Sequence, residues 1–164
     1  TACFVPKPHT AFQWEPQVGM EEYQRRVNLL REHMKNRSIT YNWHDPDTSF
    51  LEAAFARGDR RMADVIETAW HKGAKFDSWS EYFNFGRWME AFADCNLDPH
   101  FYANRSRAED ELLPWSVVST GVTDNYLWRE REQCYRAEIT PDCRTQCMGC
   151  GADRLYSGGK CDAE

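Results

Sequence analysis

Apolar residues recur at helical spacing over most of this chain and at strand spacing only in short stretches. Tyr23, Val27, Leu30 and Met34 form one stripe of a helix expected over about 20–36, with Arg25, Arg26, Arg31 and Glu32 off it. His44-Asp45-Pro46 marks the next start, since Asp45 can cap and Pro46 suits the first helical position. That helix carries Phe50, Leu51, Ala54 and Phe55 and stops at Gly58. Asp59 then caps a helix whose face is Met62, Val65, Ile66, Ala69 and Trp70, closed by Gly73. Ser78 and Glu81 have the spacing of a capping box. They predict a helix running to about Cys95 with Tyr82, Phe85, Trp88, Met89 and Phe92 along one side. Asp98-Pro99 opens a short helical turn ending near Asn104, and Thr123 or Asp124 caps a last helix over about 125–137.

Strand signals are fewer. Cys3, Phe4 and Val5 suit a buried strand, and 38–43 alternates with β-branched residues. The region 112–122 is irregular, broken by Pro114 and Gly121, with room for a short strand at Val117-Val118. Two strands do not make a stable sheet alone, so they need helices over them or further strands from outside this chain. The pattern predicts a mostly helical α+β fold.

At 164 residues, 41% hydrophobic and 28% charged, the chain can build a real core. A net charge of −6 counts against a broad electrostatic grip on nucleic acid. The basic run from Arg57 to Arg61 reads as a solvated helix face or a local contact. No run of about 18 apolar residues signals a membrane span. Aromatics are 14% of the chain, including seven Trp, which either pack a core or wall a pocket. Seven cysteines, three of them closely spaced, fit a reducing cytoplasm better than a disulfide scaffold.

Two places carry candidate chemistry. After Val5, Pro6 and Pro8 remove backbone donors and stiffen an extended segment bearing Lys7, His9, Gln13 and Trp14. It reads either as the mouth of a site or as a proline-rich edge with surface polar residues. Lys7 is an anion anchor or a solvated lysine. His9 and His44, each after an expected strand end, are candidates for proton transfer, metal ligation or substrate hydrogen bonding, or are structural. Trp14, Trp43 and Trp79 wall a pocket or pack a core. The second place is Cys143-x₃-Cys147-x₂-Cys150 with Cys161 beyond it. Thiolates so spaced suit one soft metal centre, tetrahedral zinc first and an auxiliary iron–sulfur cluster second, against free thiols on an unordered tail. Cys3 and Cys95 fall on expected buried faces.

The segment FVPKPHTxFQW at 4–14 resembles the end of the catalytic barrel in a family of radical S-adenosylmethionine proteins with a cobalamin-binding-type N-terminal domain. Further stretches are similar to it: NWHDP at 42–46, ARGDRR at 56–61, FDxWSE at 76–81 and DPxFYAN at 98–104. So are LPW at 113–115, TGV at 120–122, LWRE at 127–130 and TPDC at 140–143. The resemblance implies an iron–sulfur enzyme that cleaves S-adenosylmethionine reductively to a 5′-deoxyadenosyl radical. Its 4Fe–4S cluster would sit on a CxxxCxxC loop in barrel sequence ahead of Thr1. The spacing from Cys143 to Cys150 copies that motif, but only 14 residues follow it, too few to build a cofactor site around it.

The expected organisation is therefore the end of such a barrel at 1–45, a helical C-terminal domain at 46–139 and a Cys-rich metal-binding tail at 140–164. The partners expected are the N-terminal remainder of the barrel and a substrate the sequence does not name, with no membrane. S-adenosylmethionine, a 4Fe–4S cluster and, as a family option, cobalamin belong to the parent protein. The alternative is a non-enzymatic, zinc-stabilised module that binds protein or RNA, with the acidic balance counting against RNA.

Overall fold

Most of the helices form where a side-chain cap precedes an apolar stripe, while Met20–His33 and Met62–His71 start without one. The computed structural model describes residues 5–155. It is mostly helical, and no strand occurs among the described residues. Helix α1 is Met20–His33, α2 Pro46–Ala56, α3 Met62–His71, α4 Phe85–Asp94, α5 Pro99–Ala103 and α6 Asp124–Tyr135, followed by a 3₁₀ turn at Ala152–Arg154. No helix among them is long and apolar enough to cross a membrane.

Local chemistry sets the helix starts. Asp45 accepts from the Thr48 N–H at 3.0 Å, with Pro46 in the first turn of α2. Asp98 does the same for His100 at the start of α5, and Thr123 for Tyr126 at the start of α6. Asp59 turns the chain into α3 by accepting from the Arg61 N–H at 3.0 Å. Gly58 is required where α2 meets α3, because a Cβ there would lie 2.4 Å from Met62 Cγ.

The chain forms two compact units. The first is Pro16–Ser106 with the described residues before Lys7; the second is Lys7–Glu15 with the described residues from Arg107 onward. This packing division differs from the sequence-based 1–45, 46–139 and 140–164. In the first unit α1 packs on α2, α2 on α5 and α3 on α4. Its core joins Phe50, Ala53 and Ala54 of α2 to Val65 and Ala69 of α3, Ala91 and Phe92 of α4, and Tyr102 and Ala103 of α5. Each large side chain removed from water there contributes about 1.5–3 kcal/mol. The second unit has a smaller core of Trp14, Leu113 and Leu127, flanked by Trp115, Val122, Tyr126 and Trp128.

Several local expectations are corrected. Residues 38–43 form no strand, because no described segment offers them a ladder; Tyr41 instead stacks on Trp43 and packs against Tyr23 and Val27. Val117 and Val118 are exposed and unladdered. The Ser78 and Glu81 spacing caps nothing. Residues 77–82 are turns, and α4 starts later, where Asn84 accepts from the Arg87 N–H at 3.0 Å. Helix α3 buries the narrower stripe Met62, Val65 and Ala69, leaving Ile66 and Trp70 exposed. Arg57 is no solvated residue. It is fully buried, and its guanidinium donates to the Tyr102 and Arg105 carbonyls at 3.0 Å each. The strand expected at Cys3–Val5 lies mostly outside the described residues.

Candidate functional site

The segment 7–15 folds as a chain of turns tied to its unit by one buried amide. Gln13 is 0% exposed. Its Oε1 accepts from the His9 N–H at 2.8 Å and from Trp115 Nε1 at 2.8 Å. Its Nε2 donates to Asp124 Oδ1, in the first turn of α6, at 3.0 Å. A buried amide satisfied on both ends fixes the geometry of everything it touches. His9 adopts φ 56°, a left-handed conformation that non-glycine residues seldom take, and its bond to Gln13 holds it there. The Thr10 hydroxyl donates to the Lys7 carbonyl at 2.8 Å, closing the turn between them.

Trp14 is 2% exposed and packs edge-on against Trp128, ring centroids 5.0 Å apart. Its carbonyl accepts from the Arg107 N–H at 2.8 Å. Glu15 pairs with Arg131 at 2.5 Å, and the Arg131 guanidinium lies over Trp128 and Tyr135. Burial pushes the Tyr135 phenol pKa up, and Glu15 adds to the effect. The Tyr126 phenol is also raised, first by burial and then by Glu130.

Lys7 is exposed and His9 half-buried, both on this loop, whereas His44 is an exposed residue of the first unit. The His44 carbonyl accepts from the Tyr23 hydroxyl at 2.7 Å, fixing its backbone ahead of α2. Trp43 is exposed, stacked on Tyr41 with Arg31 above it, and Trp79 is exposed on the turns before α4.

Cys143 and Cys147 are exposed and Cys150 is half-buried; Cys161 lies outside the described residues. Asp142 accepts from Arg144 and Thr145 to form the turn that begins at Cys143. Cys150 is docked through its backbone, its carbonyl accepting from the Thr123 N–H at 2.9 Å beside the start of α6. Arg129 donates to the Met148 carbonyl. Gly121, at φ 82°, has Leu155 packed where a Cβ would stand. Protein contacts thus dock 148–155, a source of order separate from metal. Among the described residues no three His, Cys, Asp or Glu side chains converge, so no step is assigned to a metal there.

The sequence reading passed over Gln13 as a hub. A polar residue between Phe12 and Trp14 was the one available signal; its partners Trp115 and Asp124 lie more than a hundred residues on. It reads Arg57 as part of a solvated face or a local contact and passes over the Glu15–Arg131 pair. Comparison with family models, with curated proteins and with solved structures found no match for this chain.

Proposed function

We propose that this chain is the C-terminal portion of a radical S-adenosylmethionine iron–sulfur enzyme, contributing a late barrel strand and a helical domain that covers the substrate. One observation carries the reading: six of the nine stretches that bear the resemblance meet others within their own unit. In the second unit, Gln13 and Trp14 of FVPKPHTxFQW join Leu113 and Trp115 of LPW, Val122 of TGV, and Leu127 and Trp128 of LWRE. In the first, Arg57 of ARGDRR donates to Tyr102 of DPxFYAN, and Arg61 lies over the Tyr102 ring. Stretches that share one packing scheme fit a single inherited fold better than a scatter of chance matches.

On this reading the bound cluster and S-adenosylmethionine supply the radical chemistry from the remainder of the barrel. This chain's own residues bind and orient. Lys7 offers an ammonium to an anionic group of the substrate, and His9 offers a ring that donates a hydrogen bond or moves a proton. Gln13 holds the His9 backbone and the Thr10 hydroxyl closes the turn from Lys7, giving both a fixed base. The tail cysteines Cys143, Cys147, Cys150 and Cys161 would hold zinc or an auxiliary iron–sulfur cluster only by drawing together, since the described three do not converge, and the enzyme works in the cytoplasm.

The test is anaerobic purification of the whole gene product, with elemental analysis and visible absorbance. Iron and sulfide with a broad thiolate-to-iron band are expected, with part of the metal lost in Cys147→Ser if the tail holds a cluster. Zinc alone, without iron, would overturn the enzyme reading in favour of a zinc-stabilised binding module.

A further inference from the structure

Two runs of this chain are rich in cations, and the fold uses them differently. In the run from Arg57 to Arg61 the charges are engaged within the protein. Arg57 is buried on backbone carbonyls and Arg61 pairs with Asp59 at 2.6 Å, leaving Arg60 open. In the run from Arg31 to Arg37 they face water. Arg31, Lys35 and Arg37 are all exposed, and among the described residues none of the three is ion-paired. Glu32 is the one acidic residue between Arg26 and Asp45. Helix α1 ends at His33, so Arg31 answers the carbonyl end of the helix. Lys35 and Arg37 lie past that end, and helix capping does not account for them. A turn holds Arg37 out: the Ile39 N–H donates to the Asn36 carbonyl and the Ser38 N–H to Asn36 Oδ1, both at 3.0 Å.

The same strip carries a ring. Trp43 is 43% exposed and stacks on Tyr41, with centroids 5.4 Å apart and planes 23° from parallel. Tyr41 in turn packs against Tyr23 and Val27 of α1, which gives the pair a fixed floor. The Arg31 guanidinium stands 5.0 Å from the Trp43 ring centre, so cation and ring belong to one surface. Phosphates attract the cations, and an unpaired base extends an aromatic stack whatever its identity. A net charge of −6 repels a polyanion from the rest of the chain, which limits the contact to this strip.

We propose that Arg31, Lys35, Arg37 and Trp43 form a short binding strip for single-stranded nucleic acid. Lys35 and Arg37 hold phosphates, while Arg31 exchanges its place on the ring for a phosphate and a base stacks on Trp43 in its stead. Leu29 and Ile39 are also exposed beside the strip, so anionic lipid enters the test as the competitor.

The test follows the fluorescence anisotropy of a labelled decauridylate titrated with the whole chain over a series of salt concentrations. Saturable binding is expected, with a log–log salt slope of about −2, as for three phosphates of a single strand. The Lys35→Ala, Arg37→Ala double variant should weaken binding and bring the slope to about −0.7. Trp43→Ala should weaken it about fivefold or more with the slope unchanged, as for one lost base stack, and Trp43→Phe should restore most of that loss. Glu32→Gln should tighten it. Circular dichroism checks that each variant stays helical. No saturable binding would overturn the proposal, as would wild-type affinity in the double variant or in Trp43→Ala. So would tighter binding to phosphatidylglycerol vesicles or to inorganic polyphosphate than to the oligonucleotide.

Discussion

The two units are held together by different means. The first is a helix-on-helix core in which small residues let the elements approach: Ala53, Ala54, Ala69, Ala91 and Ala103 sit among Phe50, Val65 and Phe92. The second has one long helix and depends on named polar contacts: the Gln13 amide, the Glu15–Arg131 pair, and the backbone bond from Thr123 to Cys150. A core of the first kind tolerates most single surface changes and fails by cavity formation. A hub of the second kind fails when one amide is removed, because each group it satisfied is then stranded.

Phe50→Ala should have the largest effect. It empties a fully enclosed position of the first unit and is expected to cost about 3–5 kcal/mol in denaturant unfolding. A loss under about 1 kcal/mol would mean that this core is not where the first unit's stability resides. Gln13→Ala should cost about 2 kcal/mol, since it removes the acceptor for Trp115 Nε1 and the His9 N–H. The difference between the units predicts where that loss appears. Amide exchange should quicken at 9–15 and in the first turn of α6, while α2 and α4 keep their protection. Uniform quickening in both units would break the comparison.

This contrast also explains what could be read from the sequence. The starts of α2, α5 and α6 were legible because a cap and its helix are neighbours in the chain, as with Asp45 and Thr48. Ser78 and Glu81 misled because capping-box spacing does not register that Trp88, further on, fixes Asp77 and keeps 77–82 as turns. The alternation at 38–43 misled because a strand exists only with a partner, and Tyr41 found Trp43 and the α1 face instead. Lys7 and His9 were visible as chemistry. The Gln13 hub that positions His9 was not, because it joins residues from opposite ends of the chain.

Two smaller tests sharpen the comparison. Asp45→Ala removes the α2 cap and should cost about 1 kcal/mol, confined to the first unit, with Asp45→Asn largely preserving stability. The smallest effect concerns pH. Hydrogen bonds from Arg25 and Arg26 hold the Glu22 carboxyl at about 2, below the ordinary 4.5. A depressed carboxylate stabilises the fold above its unfolded value, and that contribution is lost as pH falls through about 2. Glu22→Gln should therefore remove a small part of the stability change between those two values, screened by salt because the pair is exposed. A pH profile of thermal unfolding identical in both proteins at low ionic strength would show that these ion pairs contribute nothing.

The most direct measurement is 5′-deoxyadenosine formation by the anaerobically purified whole gene product, supplied with S-adenosylmethionine and a chemical reductant. The account predicts that the wild-type protein makes 5′-deoxyadenosine. It also predicts that the Lys7→Ala, His9→Ala double variant, folded and with its iron intact, loses acceleration of that cleavage by a cell-derived substrate fraction. An iron-replete wild-type protein that forms no 5′-deoxyadenosine would contradict the assignment, and undiminished acceleration in the double variant would contradict the role given to the loop.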